Sequence, residues 1–182
     1  MHWKSQISRK PRRKAKRAKV KPSTGPGKPK RKARQAVRVQ YGALPYRFTQ
    51  DAALEVLLVT TRQTKRWIIP KGWPIKGLKP AKSAAREAFE EAGIRGKVGG
   101  KSLGVFAYDK LLDESGVRAI CEVTVFPLLV SRQSEVWPEF EQRTVQWVEP
   151  SKAVSLIKEP ELKKLVAAFA KRVAAAASKA VP

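Results

Sequence analysis

Residues 72–94 read GWPIKGLKPAKSAAREAFEEAGI, and this stretch carries the strongest structural signal in the chain. A loop rich in glycine, proline and lysine runs into a segment whose composition favours a helix from Pro80 onward. Proline is tolerated in the first turn of a helix, and glycine directly after the last turn favours its termination. We therefore predict a helix over residues 80–92, ended by Gly93 and preceded by a loop over residues 70–79.

Three carboxylates lie on one face of this predicted helix. Glu87, Glu90 and Glu91 stand at positions i, i+3 and i+4, so their side chains are neighbours, and Arg86 is placed to pair with Glu90. Like charges at this spacing repel and destabilise an isolated helix. A cluster of hard oxygen ligands is what Mg²⁺ or Mn²⁺ binds in proteins. The spacing alone is compatible with a metal site or with a solvated acidic face.

The loop before the helix places cations and permissive backbone beside the acidic face. Lys71, Lys76 and Lys79 can bind phosphate as point charges, and Gly72 and Gly77 let a ligand approach the backbone closely. Metal, phosphate and cations together predict a site for pyrophosphate cleavage. In such a site a metal-activated water attacks phosphorus and a Glu removes its proton.

Segments typical of strands and helices flank this helix on both sides. Runs rich in apolar and β-branched residues are bounded by turn residues, as strands are, and a stripe of apolar residues at helical spacing lies near the C-terminus. We predict strands over residues 37–48, 55–61, 66–69, 101–109, 118–130 and 144–148, a polar turn over 113–116, a short helix from Pro150 with Ser151 as N-cap, and a helix over 161–177. This order predicts a fold of the α+β class, an α/β/α sandwich with a mixed β-sheet between helices.

The positive charge of the chain is concentrated at its N-terminus. The 182 residues carry 39 Lys and Arg against 15 Asp and Glu, a formal charge of +24. Sixteen of these cations lie within residues 1–38, which contain no acid. Like charges at this density repel, so we predict a disordered basic tail over 1–37 and one folded domain over 38–182. The tail is either a solvated extension or an arm that contacts nucleic acid or another polyanion.

Rare residue types exclude several kinds of chemistry. The single cysteine, Cys121, excludes an internal disulfide and a cysteine-based zinc cluster, and the single histidine, His2, disfavours Ser-His and Cys-His catalysis. No apolar run reaches the roughly 20 residues of a membrane helix, and the N-terminus lacks the apolar segment of a signal peptide. We therefore expect a cytoplasmic protein without a membrane span.

Residues 72–94 resemble the Nudix box, G-x5-E-x7-R-E-U-x-E-E-x-G-U, where U is an aliphatic residue. Gly72 and the core over residues 86–94 match, whereas Leu78 stands where the box has its first Glu. The resemblance extends over about residues 38–170 and implies the Nudix fold, a small-molecule phosphoanhydride substrate and Mg²⁺ or Mn²⁺ as cofactor. It implies Glu90 and Glu91 as metal ligands, Glu87 as a ligand or general base, Arg86 as the residue that orients a Glu, and a backbone carbonyl near Lys71 or Gly72 as a further ligand.

Further residues resemble the diphosphoinositol polyphosphate phosphohydrolase branch, which also cleaves diadenosine polyphosphates. The matching segments are 46–48, 57–62 and 66–70, with a similar late strand over 142–147. This resemblance implies phosphate contacts by Arg47, Arg62 and Arg143, to which Lys71 adds a cation where that branch has glycine. Leu78 cannot fix the loop as the first Glu would, so a catalytically weak or inactive nucleotide- or RNA-binding module with a basic tethering arm is the alternative. A third alternative is a structural protein associated with ribosomes or DNA.

Aromatic residues and later acids leave choices open. Trp73 in the glycine-proline loop is the better candidate for stacking on a base, whereas apolar packing explains Trp67 and Trp147. One more acid from a later part of the chain can join such a metal site. The sequence does not choose among its candidates Glu122, Glu139 and Glu141.

Overall fold

The computed structural model describes residues 37–111 and 118–178. The predicted tail over 1–37 lies almost entirely outside these residues, and so does the predicted turn over 113–116. The described part contains the strands and helices β1 (Arg38–Phe48), β2 (Leu54–Thr60), β3 (Trp67–Ile68), β4 (Lys71–Gly72), α1 (Pro80–Ala92), β5 (Ile94–Val98), β6 (Gly104–Leu111), β7 (Arg118–Gln133), β8 (Val145–Val148), α2 (Pro150–Leu156) and α3 (Pro160–Ser178).

The strands form one mixed sheet around a parallel pair, β1 and β7. Both strands are long enough to hold two shorter partners end to end on their outer edges. β1 pairs with β2 and β4, and β7 pairs with β5 and β6, all antiparallel. β2 in turn pairs with β3 and β8. The prediction of a mixed sheet is confirmed, and residues 56–59 of β2 are fully buried, as their continuous apolar run indicates.

Helix α1 begins and ends where Pro80 and Gly93 predict. Pro80 occupies the first turn, and Gly93 follows the last turn in the left-handed conformation with φ of 71°. The small side chains of Ala84, Ala88 and Ala92 are fully buried, so this face lies close to the sheet. Close packing of this thin face sets the distance between the acidic residues of α1 and strand β4.

Helices α2 and α3 complete the sandwich. The predicted apolar stripe of α3 is confirmed, since Leu162, Val166 and Phe169 are buried, and the Phe169 ring packs edge-on against Tyr46 of β1 at 4.9 Å between centroids. The α/β/α prediction is therefore confirmed. No helix within residues 37–111 and 118–178 is long and apolar enough to cross a membrane.

Three local features differ from the sequence predictions. The N-cap of α2 is Glu149 and not Ser151, because the residue before Pro150 is confined to the extended backbone that an N-cap needs. β5 was not predicted because its central residues over 95–97 are exposed and lack an apolar pattern. β4 was not predicted because it has only two residues, held by pairing with β1.

Gly93→Ala is expected to lower the free energy of unfolding by at least about 1–2 kcal/mol, because a left-handed residue with a Cβ is strained. The added Cβ would also lie 2.7 Å from the Trp137 ring. Gly100→Ala is the matched control, since its Cβ would meet no atom within 4 Å, and we expect a change within about 0.5 kcal/mol. Urea unfolding of both variants measures the difference, and equal losses would contradict this account.

Candidate active site

The first glycine of the motif meets its helical core where Gly72 faces Glu87. A Cβ built on Gly72 would lie 2.1 to 2.2 Å from the carboxyl atoms of Glu87, so no other residue type fits without displacing that carboxyl group. Gly72 is therefore needed for close approach, which lets the acidic face of α1 lie against the backbone of β4.

Glu91 is buried at the centre of the site, with 4% of its surface exposed. Its Oε2 accepts a hydrogen bond from the backbone N–H of Lys71 at 3.3 Å, and its Oε1 accepts one from Arg143 Nη2 at 2.5 Å. A buried carboxylate is costly unless it is paired and hydrogen-bonded, and both conditions are met here. Glu91 thus joins α1 to β4 and to the segment before β8.

Arg143 has each of its three nitrogens engaged. Besides Glu91, its guanidinium donates to Glu139 Oε2 at 2.5 Å and to the Thr60 carbonyl oxygen at 2.9 Å. Only 8% of its side chain is exposed. The sequence predicts a phosphate contact for Arg143, but the geometry supports a different role, in which it positions Glu91 and Glu139.

Residues 133–139 form hydrogen bonds to the C-terminal end of α1. The last carbonyl groups of a helix have no partner inside the helix, and here an external segment supplies donors. The hydrogen bonds run from Gln133 Nε2 to the Ala92 oxygen, Ser134 N to Gly93, Trp137 Nε1 to Glu91 and Glu139 N to Glu90, at 2.9 to 3.2 Å. We call residues 133–139 the clamp. The clamp brings Glu139 to the acidic face, where its charge acts on Glu87.

The remaining predicted site residues have mixed placements. Arg86 donates to Glu90 at 2.5 Å, as their spacing predicts, and Arg62 lies 3.6 Å from Glu139 at the edge of the site. Arg47 pairs instead with Glu55 at 2.8 Å and lies over the Trp147 ring, and none of its described contacts reaches the acidic face. Glu122 and Glu141 are exposed.

The loop that carries Leu78 is closed without the missing glutamate. Leu78 is 45% exposed, and its backbone N–H donates to the Ile75 oxygen at 3.0 Å. The Ile75 N–H in turn donates to the Ser83 hydroxyl at 3.3 Å. A backbone turn tied to α1 therefore holds this loop.

Negative charge accumulates on the acidic face. Burial, and then the charges of Glu90 and Glu139, raise the pKa of Glu87 to about 7. Burial likewise raises the pKa of Glu91 to about 7, although Arg143 and Lys71 oppose the shift. Burial also lowers the pKa of Lys71, whose ammonium group acts on both carboxylates. The site therefore favours additional positive charge.

The donor set fits a hard divalent cation, because it consists of carboxylate oxygens and no soft ligand is among them. Within the residues that the structure describes, no three His, Cys, Asp or Glu side chains are already arranged around one metal position. Glu90 and Glu91 instead turn to Arg86 and Arg143. Glu87, Glu90 and Glu91, with Glu139 beside them, are the residues that would hold such a cation.

Comparison with known proteins agrees with this arrangement. A family profile described as "NUDIX domain" matches residues 38–169. The chain belongs to the Nudix family. It is similar to Nudix hydrolase 21, chloroplastic, of Arabidopsis thaliana, with 36% identity over 72% of this chain and 65% of that protein. It is also similar to the human diphosphoinositol polyphosphate phosphohydrolase 3-alpha, with 45% identity over 32% of this chain and 36% of that protein.

Solved structures show the same fold at low sequence identity. A C. elegans Ap4A hydrolase binary complex superposes with a TM-score of 0.57 and 20% identity, over 76% of this chain and 98% of that one. This Nudix chain spans about two thirds of the length of its chloroplastic relative.

Arg143→Met is expected to destabilise the metal-free protein by about 3 kcal/mol, because removing one partner of a buried ion pair leaves its carboxylates uncompensated. Arg62→Met is the matched control: its side chain is 59% exposed, and we expect a loss below about 1 kcal/mol. Urea unfolding in the presence of a chelator measures both. Equal losses would show that Arg143 has no special structural role.

Proposed function

We propose that the protein is a divalent-metal-dependent pyrophosphohydrolase that acts on small-molecule phosphoanhydrides. The substrate class is a nucleoside diphosphate derivative, a diadenosine polyphosphate or a diphosphoinositol polyphosphate. The observation that carries this proposal is the contact of the Glu87 carboxyl group with Gly72, which joins the first glycine of the Nudix motif to its helical core. Similarity to Nudix hydrolases and to a diphosphoinositol polyphosphate phosphohydrolase supports it.

Mg²⁺ or Mn²⁺ is the proposed cofactor. Bound at such a site, the ion would polarise phosphoryl oxygens and make water a better nucleophile near neutral pH. Glu87, Glu90 and Glu91 are the proposed ligands. Burial, and then the charges of Glu90 and Glu139, raise the pKa of Glu87, and a cation would relieve both effects, which is the physical reason for expecting the ion there.

Other residues of the chain position the carboxylates, accept a proton and contact the substrate. Arg86 orients Glu90, and Arg143 holds Glu91 and Glu139 in fixed positions. The carboxylate that takes the proton of the attacking water is Glu87 or Glu139, whose charges act on each other. Lys71, half-buried beside both Glu87 and Glu91, is placed to meet substrate phosphate.

Glu90→Gln and Glu91→Gln are each expected to lower kcat for diadenosine tetraphosphate by about 10²-fold or more, since the carboxylates act directly in the reaction. Both variants should keep the wild-type circular dichroism spectrum. Glu141→Gln is the control, because Glu141 is exposed and only two residues beyond Glu139. A steady-state assay with Mg²⁺ or Mn²⁺ measures the effect, and unchanged turnover in both variants would exclude this assignment.

The second candidate is an inactive Nudix module that binds nucleotides or RNA. The replacement of the motif glutamate by Leu78 favours it. Binding of diadenosine tetraphosphate, ADP-ribose and a diphosphoinositol phosphate without product formation would support the module and contradict the enzyme. The third alternative is a structural protein associated with ribosomes or DNA through its basic tail. It predicts that deletion of the tail removes the essential function.

The basic tail is proposed to contact nucleic acid or another polyanion without taking part in hydrolysis. Replacing the nine cations over residues 9–21 by glutamine should leave kcat/KM unchanged and reduce the salt dependence of RNA binding, because fewer counterions are released. Fluorescence anisotropy at several salt concentrations measures the binding. A parallel fall in kcat/KM would contradict the separation of roles.

The expected cytoplasmic location stays a prediction, since "chloroplastic" in a relative's name describes that protein.

A further inference from the structure

An open apolar groove runs beside the C-terminal half of α3. The residues that line it come from α3, from the hairpin between β1 and β2, and from the start of α2. The groove has a volume of about 410 Å³, and its lining is apolar apart from Glu149 and Ser151. Phe48 lines it with 49% of its surface exposed. None of the lining residues belongs to the candidate active site, so the proposed hydrolysis does not explain this surface.

The hairpin side of the groove includes a strained residue. Ala52 has a φ of 59°, in the left-handed region where a Cβ is unfavourable. The turn is closed by hydrogen bonds from the Ala52 N–H to the Thr49 oxygen at 3.0 Å and from the Thr49 N–H to the Ala53 oxygen at 2.9 Å. Glycine would relieve the strain but would remove a methyl group from the groove lining. An apolar surface packed against this methyl group would offset part of the strain.

The α3 side of the groove presents small side chains on one face of the helix. The lining residues of α3 stand at i, i+3, i+4 and i+7, namely Ala170, Val173, Ala174 and Ala177. Every residue from Ala174 to Ser178 is exposed, so no described element covers this end of α3. Small side chains allow two packed helices to approach to the short end of the usual range of about 8–10 Å between axes. This face therefore fits a second helix.

The hairpin side and the helix side of the groove carry charges of opposite sign. Glu149 lines the groove and Asp51 stands in the hairpin turn. Both are exposed, and neither has an ion-pair partner within the described residues. The described part of α3 has no acid after Glu161, whereas Lys171 and Arg172 are exposed next to the lining residues. In two chains related by a two-fold axis, the acids of each groove can meet the cationic helix of the other chain.

We propose that two copies of this chain associate through this groove, with the C-terminal half of α3 of each copy packed in the groove of the other. The two helices run antiparallel across a two-fold axis, and the exposed Phe48 ring is the aromatic anchor of each half. The cations of α3 in one copy face the acids of the groove in the other, which orients the pair. One patch serves both copies, as an isologous interface requires. The proposal goes beyond the proposed hydrolysis and does not depend on it.

Sedimentation velocity of the full chain at physiological ionic strength measures this association. The wild type is expected to shift from monomer to dimer over the micromolar range. Ala174→Glu should weaken dimerisation about 10-fold or more, because it places a charge on the packed face. Ala175→Glu is the matched control, since Ala175 is equally exposed but does not line the groove. Both variants should keep the wild-type circular dichroism spectrum. A wild type that stays monomeric throughout this range, or equal effects of the two substitutions, would overturn the second copy as the occupant.

A charge exchange tests which surfaces meet. Glu149→Lys is expected to weaken dimerisation about 10-fold, because it places a cation opposite the cationic helix of the other copy. Adding Lys171→Glu and Arg172→Glu to the same chain restores opposite charges across the interface and should recover most of the loss. If the triple variant dimerises no better than Glu149→Lys, α3 does not meet this groove and the proposed arrangement is wrong.

Discussion

Mutual repulsion among four carboxylates is the constraint on which the rest of this structure depends. Burial, and then the charges of Glu90 and Glu139, raise the pKa of Glu87 to about 7, and burial followed by the charges of Glu139 and Glu87 raises that of Glu91. Such a cluster separates unless rigid elements hold it in place. The thin alanine face of α1, packed on the sheet, and the buried guanidinium of Arg143 supply that rigidity.

The site is assembled from separate parts of the chain, and each part depends on the others. Gly72 allows the Glu87 carboxyl group to approach β4, while the Lys71 backbone and Arg143 hold Glu91 from two sides. The clamp ties the C-terminal carbonyls of α1 to residues that carry Glu139 toward the site. Because these bonds share α1 as their common partner, displacement of the clamp would move Glu139 and also leave carbonyls of α1 without donors.

Local signals explain why α1 was predictable and the clamp was not. Pro80 and Gly93 act on their own backbone, so the bounds of α1 follow from residues adjacent in sequence. The clamp depends on hydrogen bonds to backbone carbonyl groups 41 to 49 residues away, and such bonds leave no pattern in the sequence. The acidic face of α1 follows from helical spacing, whereas Glu139 is one of several acids that the sequence offers and reaches that face through the clamp. The role of Arg143 was missed because a sequence shows a cation but not the carboxylate that it meets.

The division of labour between arginine and lysine follows from their chemistry. Every ion pair within the described residues has arginine as its cation, since the planar guanidinium donates from several nitrogens in fixed directions. Arg143 shows the advantage, because one side chain holds Glu91, Glu139 and the Thr60 carbonyl together. Lysine carries a compact charge at the end of a flexible side chain. The ammonium groups of Lys71 and Lys110 lie over aromatic rings, and an anion can attract them away from these rings. Arginines of the described residues thus neutralise the domain's own carboxylates, whereas Lys71 and Lys110 contact aromatic rings.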